Sequence, residues 1–127
     1  MEEHLSHEDP TILIVETDSA TREMYRRELA LAYQVFACAD NVEAQQILGQ
    51  HAPDVVVLEP VGCGWGLFEK LKGKTPLIVC STCEVSETRI RKELAACLVK
   101  PVLPTELCKA VEAVLAIVRK QVTYQKG

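Results

Sequence analysis

The chain has few aromatic side chains: two Phe, one Trp and three Tyr among 127 residues, or 5%. A core of aromatic plates is excluded, so Val, Leu, Ile and Ala must fill it. A basic block is missing too. Fourteen Lys and Arg stand against eighteen Asp and Glu, with a net charge of -4, and the two signs are interspersed. That leaves no electrostatic footprint for DNA or RNA, and no nucleic-acid partner is expected. No apolar run approaches the roughly 20 residues that a membrane helix needs, and the acidic start Met1-Glu2-Glu3-His4 is unlike a signal peptide. A cytoplasmic protein without a membrane partner is expected. The sequence also lacks GxGxxG and GK[ST] phosphate-binding patterns. Cys80-x-x-Cys83 has neither a second CxxC nor a nearby His to complete a zinc site.

What is present is the amount of chain that one domain needs. With 48% hydrophobic and 25% charged residues the composition is that of an ordinary globular protein, long enough for a single core. The six cysteines, at 38, 63, 80, 83, 97 and 108, lie partly inside apolar runs, which suits reduced thiols better than a secreted disulfide framework.

Apolar runs of strand length alternate with segments of helical period, the pattern of a parallel sheet with right-handed crossovers. Thr11 to Val15 reads as the first strand, followed by a helix capped by Asp18 or Ser19 and reaching Leu31. Gln34 to Cys38 is the second strand; Asp40 or Asn41 caps a helix that Gly49 and Pro53 stop. Asp54 to Leu58 is the third strand. The glycine-rich run Val61 to Gly66 reads as a flexible connector into a helix carrying Leu67, Phe68 and Leu71. Pro76 to Ser81 is the fourth strand, and a polar helix from Ser86 to Leu94 follows. Cys97 to Val99 is the fifth, and Pro104-Thr105-Glu106 opens a long last helix with Leu107, Val111, Val114, Leu115 and Val118 turned to the sheet. Residues 1–10, with His4 and His7, are expected to be a solvated tail, 11–121 the domain, and 122–127 a frayed end.

On a doubly wound sheet of order 2-1-3-4-5, the ends of strands one, three and five share one crevice, the usual ligand position of such sheets. Glu16-Thr17, Glu59 and Lys100-Pro101 are then neighbours, with Ser81 at the end of strand four. The runs Ile12-Leu13-Ile14-Val15-Glu16, Pro53-Asp54-Val55-Val56-Val57-Leu58-Glu59, Pro76-Leu77-Ile78-Val79-Cys80-Ser81 and Val99-Lys100-Pro101 together resemble the receiver domain of bacterial two-component response regulators. The resemblance spans about residues 11 to 118 and implies a flavodoxin-like (βα)5 fold. It further implies an Mg²⁺-binding acid pair after strand one, a phosphoacceptor aspartate after strand three, a switch hydroxyl after strand four and a phosphate-contacting lysine after strand five. Residue by residue these are Glu16 and Thr17, Glu59, Ser81 (or its neighbour Thr82), and Lys100 with Pro101. The chemistry would be in-line attack of a carboxylate, with metal and lysine neutralising the phosphoryl group.

The departures from that pattern carry the functional expectation. Thr17 is neutral where a second metal-binding acid belongs, and Asp18, one residue on, serves the helix start. Glu59 stands where the acceptor aspartate belongs; its extra methylene displaces the carboxylate by roughly 1.5 Å, costing on the order of a hundredfold in attack rate. Cys97 occupies the place of the aromatic switch residue, and the Met-Pro pair after the acceptor is missing. Glu16 and Glu59 against Lys100 sum to -1, one negative charge fewer than a site of three acids and one lysine. A pseudo-receiver is therefore expected, not an enzyme, with weak or no Mg²⁺ and no other cofactor, in which Glu59 pairs with Lys100 and holds one conformation. Its partner would be a signalling protein, a histidine kinase or a downstream effector; the short fourth helix, strand five and the last helix could also form a homodimer. One alternative is a phosphorelay receiver that still accepts phosphate on Glu59, Asp54 being badly placed at the strand's start. Another is a thiol or metal sensor built on Cys38, Cys63 and Cys83. The remote last is a small-molecule or flavin site, disfavoured by the missing phosphate loop.

Overall fold

The structure is a computed structural model that describes residues 9–126, with side chains described through residue 118. Five strands, β1 (Thr11–Val15), β2 (Gln34–Cys38), β3 (Val55–Leu58), β4 (Leu77–Ser81) and β5 (Ala96–Val99), form one parallel sheet in the order β2-β1-β3-β4-β5. The alternating pattern predicts the parallel sheet, and the receiver resemblance implies this doubly wound, flavodoxin-like order. β1, β3 and β4 lie inside the sheet and are apolar on both faces, because helices cover both; the edge strands β2 and β5 are only partly covered.

The strand period of two divides these apolar runs between two cores. Ile12, Ile14, Val55, Val57, Ile78 and Cys80 pack with Tyr25, Leu29, Leu107, Val111 and Leu115 on the face covered by α1 (Ser19–Ala30) and α6 (Pro104–Lys126). Leu13, Val15, Val56, Leu58 and Leu77 pack with Ala44, Leu67, Phe68 and Leu71 on the opposite face, under α2 (Asn41–Leu48) and α4 (Gly66–Leu71). Asp18 caps α1, accepting from the Thr21 backbone N–H and hydroxyl at 2.9 and 2.6 Å. Asp40 caps α2 at 2.9 Å on the Glu43 N–H, while the Glu43 carboxylate reaches back to the Ala39 N–H at 3.1 Å. Each such cap stabilises its helix by about 1 kcal/mol.

Four local readings change. Asp54 precedes β3 and accepts from the Thr11 N–H at 2.8 Å, at the amino edge of the sheet, so it is far from the acids that follow β1 and β3. The glycine-rich connector contains a helical turn, α3 (Pro60–Cys63), because Pro60 sits at its first position and Glu59 caps it. The polar helix expected from Ser86 to Leu94 is one turn, α5 (Thr88–Arg91), without a side-chain cap. α6 continues to Lys126, through residues that the sequence left as a frayed end. His4 and His7, with most of the expected amino-terminal tail, lie outside the described residues.

Buried thiols set the alkaline limit of this core. Burial pushes Cys80 and Cys38 up to about 12 from an ordinary 9, and it also raises the phenol of Tyr25, which lies beside Cys80. The folded chain keeps these protons to higher pH than the unfolded chain does. Their contribution is complete below about pH 9 and is lost as pH rises toward about 12. Thermal unfolding is expected to show a falling Tm from about pH 9 upward toward about pH 12, with a shallower fall in Cys80→Ala. Equal slopes in the two proteins would contradict this.

Candidate functional site

The carboxyl edge of the sheet brings the predicted residues together. Glu16 and Thr17 follow β1, Glu59 follows β3, Ser81 closes β4, and Lys100-Pro101 follow β5, with a cis peptide between them. Glu16, Glu59 and Ser81 are the buried polar residues of the described chain, at 1, 6 and 5% exposure. Carboxylates survive such burial only with partners, and each has found its own.

Glu16 Oε1 lies 2.8 Å from Lys100 Nζ, and its Oε2 accepts from the Asp18 N–H at 3.0 Å. Arg22, in the first turn of α1, donates to the carbonyl oxygens of Glu16 and Thr17 at 2.8 and 3.3 Å and pins the loop that carries them. Glu59 Oε2 accepts from the Gly62 N–H at 2.9 Å, and its Oε1 accepts from the Thr17 hydroxyl at 3.2 Å. The expected Glu59–Lys100 pair is therefore corrected: the lysine pairs with Glu16. Glu59 is long enough to fold back over α3 and satisfy one of that turn's free N–H groups, a local donor three residues away. The Thr17 hydroxyl takes its other oxygen, and Lys100 is left to the acid of β1.

Gly62 is the residue that sequence reasoning missed. A Cβ there would run into Thr17 Oγ1 and come within 2.8 Å of both Thr17 Cβ and Glu59 Oε1. The backbone of α3 thus closes directly onto the two side chains, and only glycine permits that approach. Its signal was a glycine three residues after a carboxylate, the spacing of a side-chain cap. The clamp role of Arg22 had no signal in the sequence. Ser81 sits where expected: its carbonyl accepts from the Lys100 N–H at 2.7 Å and its hydroxyl from the Cys83 N–H at 3.3 Å. Cys97 pairs in register with Val79, two residues below the Ser81–Val99 level, on partly covered β5.

The thiols do not form one cluster. The Cys63 thiol lies 3.5 Å from the Thr17 hydroxyl and donates to the Ala39 carbonyl at 3.6 Å, while Cys38 donates to Asp40 at 3.7 Å; Cys83 follows β4. Among the described residues, no three His, Cys, Asp or Glu side chains group as a metal site.

An acid after β1, an acid after β3, a hydroxyl closing β4 and a lysine after β5, on a sheet of order 2-1-3-4-5, define the architecture of response regulator receiver domains, and the chain has that fold. Among solved structures it is similar to the CheY-like receiver domain protein of Methanospirillum hungatei JF-1, with a TM-score of 0.77 at 22% identity over 88% of this chain and 98% of that one. It is also similar to the chemotaxis response regulator CheY4 of Vibrio cholerae, with a TM-score of 0.69 at 23% identity over 84% and 98% of the two chains. In sequence it is 30% identical over 118 residues to the probable transcriptional regulator ycf27 of Porphyridium aerugineum, covering 86% of this chain. The chain spans about half, 49%, of that relative's length. No protein-family model matches the sequence.

The closure at Gly62 is open to direct measurement. Gly62→Ala is expected to cost about 1–3 kcal/mol in urea unfolding, as overpacking does. In a Thr17→Gly background the same change is expected to cost less than half as much, because the obstructing side chain is gone. A neutral Gly62→Ala, or an equal cost in both backgrounds, would show that the turn does not close on Thr17.

Proposed function

We propose that this chain is a receiver-type signalling module that works without phosphorylation, through binding of a protein partner. The observation that carries the reading is the internal satisfaction of the acid site: Glu16 is held by Lys100, and Glu59 by Thr17 and Gly62. A phosphoryl group needs the lysine as a counter-charge and the strand-three carboxylate as a free nucleophile, and both groups are engaged.

Magnesium fits the present donors poorly. It demands near-octahedral oxygen ligands and is usually held by carboxylates; here one Glu16 oxygen faces an ammonium group, and Thr17 offers a hydroxyl that already donates to Glu59. The proposal accordingly includes no resident cofactor and no enzymatic turnover, and it places the module in the cytoplasm.

A protein partner, a kinase or an effector, is favoured by exposed apolar side chains on the side that the sequence singled out. Val99 on β5, Leu103 before α6 and Ile117 on α6 are 45, 60 and 57% exposed. A second copy of the chain is the other occupant that such a surface admits. The phosphorelay alternative keeps one supporting observation: Glu16, Glu59, Ser81 and Lys100 all follow or close the strands whose ends share the crevice.

One experiment separates the two readings. The native chain and a Thr17→Asp, Glu59→Asp double variant are titrated with Mg²⁺ and beryllofluoride, and separately incubated with a small acyl phosphate donor. The expected outcome is saturable binding and hydroxylamine-labile label in the double variant alone. Stoichiometric label on Glu59 of the native chain would establish the phosphorelay reading in its place.

A further inference from the structure

The single-turn α5 leaves β5 incompletely covered. Ala96, Cys97 and Leu98 are only partly buried and Val99 is exposed. Between the β4–α5 loop and β5 lies a cavity of about 80 Å³ whose lining includes Cys83, Glu84, Arg91 and Cys97. The acid site uses none of these residues. Cys83 is exposed and Cys97 partly so, and the loop between β4 and α5, residues 82–87, carries no helix or strand that would resist a shift.

We propose that Cys83 and Cys97 are a thiol modification site, oxidised by a peroxide to an intramolecular disulfide. The Cys83 thiolate attacks one peroxide oxygen; the O–O bond breaks, Cys83 becomes a sulfenic acid and hydroxide leaves, taking up the thiol's proton as water. The Cys97 sulfur then attacks the Cys83 sulfur; the S–S bond forms, the S–O bond breaks, and a second water leaves with the Cys97 proton. The two thiols lose two electrons and the peroxide gains them.

Among the six thiols Cys83 is the exposed one, and Cys97 lines the same cavity. Burial pushes Cys38 and Cys80 up to about 12 and also raises Cys63 and Cys108, the last beside Glu28 and Glu112. Burial raises Cys97 as well, with Arg91 offsetting part of the rise. Cys83 receives a donor contact from the Thr82 hydroxyl at 4.0 Å.

A disulfide needs Cα atoms about 4.4–6.8 Å apart, so the bond would draw the loop down over β5. That motion pulls on the Cys83 N–H that donates to the Ser81 hydroxyl. Oxidation is thereby coupled to the β4 end of the site and to the exposed strand beside it, independently of any phosphoryl group.

The test uses the full chain, treated with dilute hydrogen peroxide and mapped by non-reducing mass spectrometry alongside a count of free thiols. Six free thiols are expected to become four, with a Cys83–Cys97 linked peptide that dithiothreitol releases and that is absent from Cys83→Ser and from Cys97→Ser. Arg91→Ala is expected to slow its formation. Six thiols unchanged, Cys83 oxidised to a sulfinic acid without the link, a Cys38–Cys63 link, or links only between two molecules would each overturn the proposal. The wild-type peptide map alone decides among these, so the test does not depend on the variants folding.

Discussion

A buried ion pair between Glu16 and Lys100 ties the ends of β1 and β5 together across the top of the sheet. The side chains are 2 and 19% exposed at 2.8 Å. Removing Lys100 leaves the buried Glu16 carboxylate without its counter-charge, a loss that costs about 3–5 kcal/mol in fully buried pairs and less here because Lys100 keeps partial exposure. The pair's importance is also positional. It fixes the loop after β1, which presents Thr17 to Glu59, and it engages the Lys100 ammonium group. The Arg22 clamp on the same loop and the Glu59 cap on α3 work within the frame that this pair sets.

Both carboxylates of this crevice are met from within the chain, Glu16 by an ion pair and a backbone N–H and Glu59 by two hydrogen bonds, which supports the proposed non-reactive reading. A reactive site keeps a nucleophile and a counter-charge poised for an absent ligand. Here the carboxylate after β3 accepts a backbone N–H and a hydroxyl, and the backbone at Gly62 comes so close that a methyl group would not fit. The same architecture supports a shape-based role, since the sheet, its two cores and the exposed apolar positions on β5 and α6 need no chemistry to be read by a partner.

The sheet was legible because periodicity and burial agree. Ile12 to Val15, Val55 to Leu58 and Leu77 to Cys80 are continuous apolar runs because both their faces are covered, and the polar residues that end them mark the crevice. Positions were thus readable, and partners were not. Charge and the reach of Glu59 joined it to Lys100; a free N–H three residues away and the Thr17 hydroxyl decided otherwise, and such local competition leaves no periodic trace. Two glycine-rich or charged stretches misled for related reasons. Pro60 and the Glu59 cap make a helical turn where glycines indicated a flexible connector, while the charged run after Ser86 keeps only one uncapped turn. That Cys83 and Cys97 line one cavity needed coordinates, because the two stand on different elements fourteen residues apart.

The central claim is that Lys100 is committed to Glu16, and a double-mutant cycle on Glu16→Gln and Lys100→Met, read by urea unfolding, tests it most directly. The account predicts a coupling energy of about 2 kcal/mol, within the range of groups in contact, that changes little with added salt because the pair is shielded from solvent. A coupling near zero, or a larger one between Glu59→Gln and Lys100→Met, would contradict it.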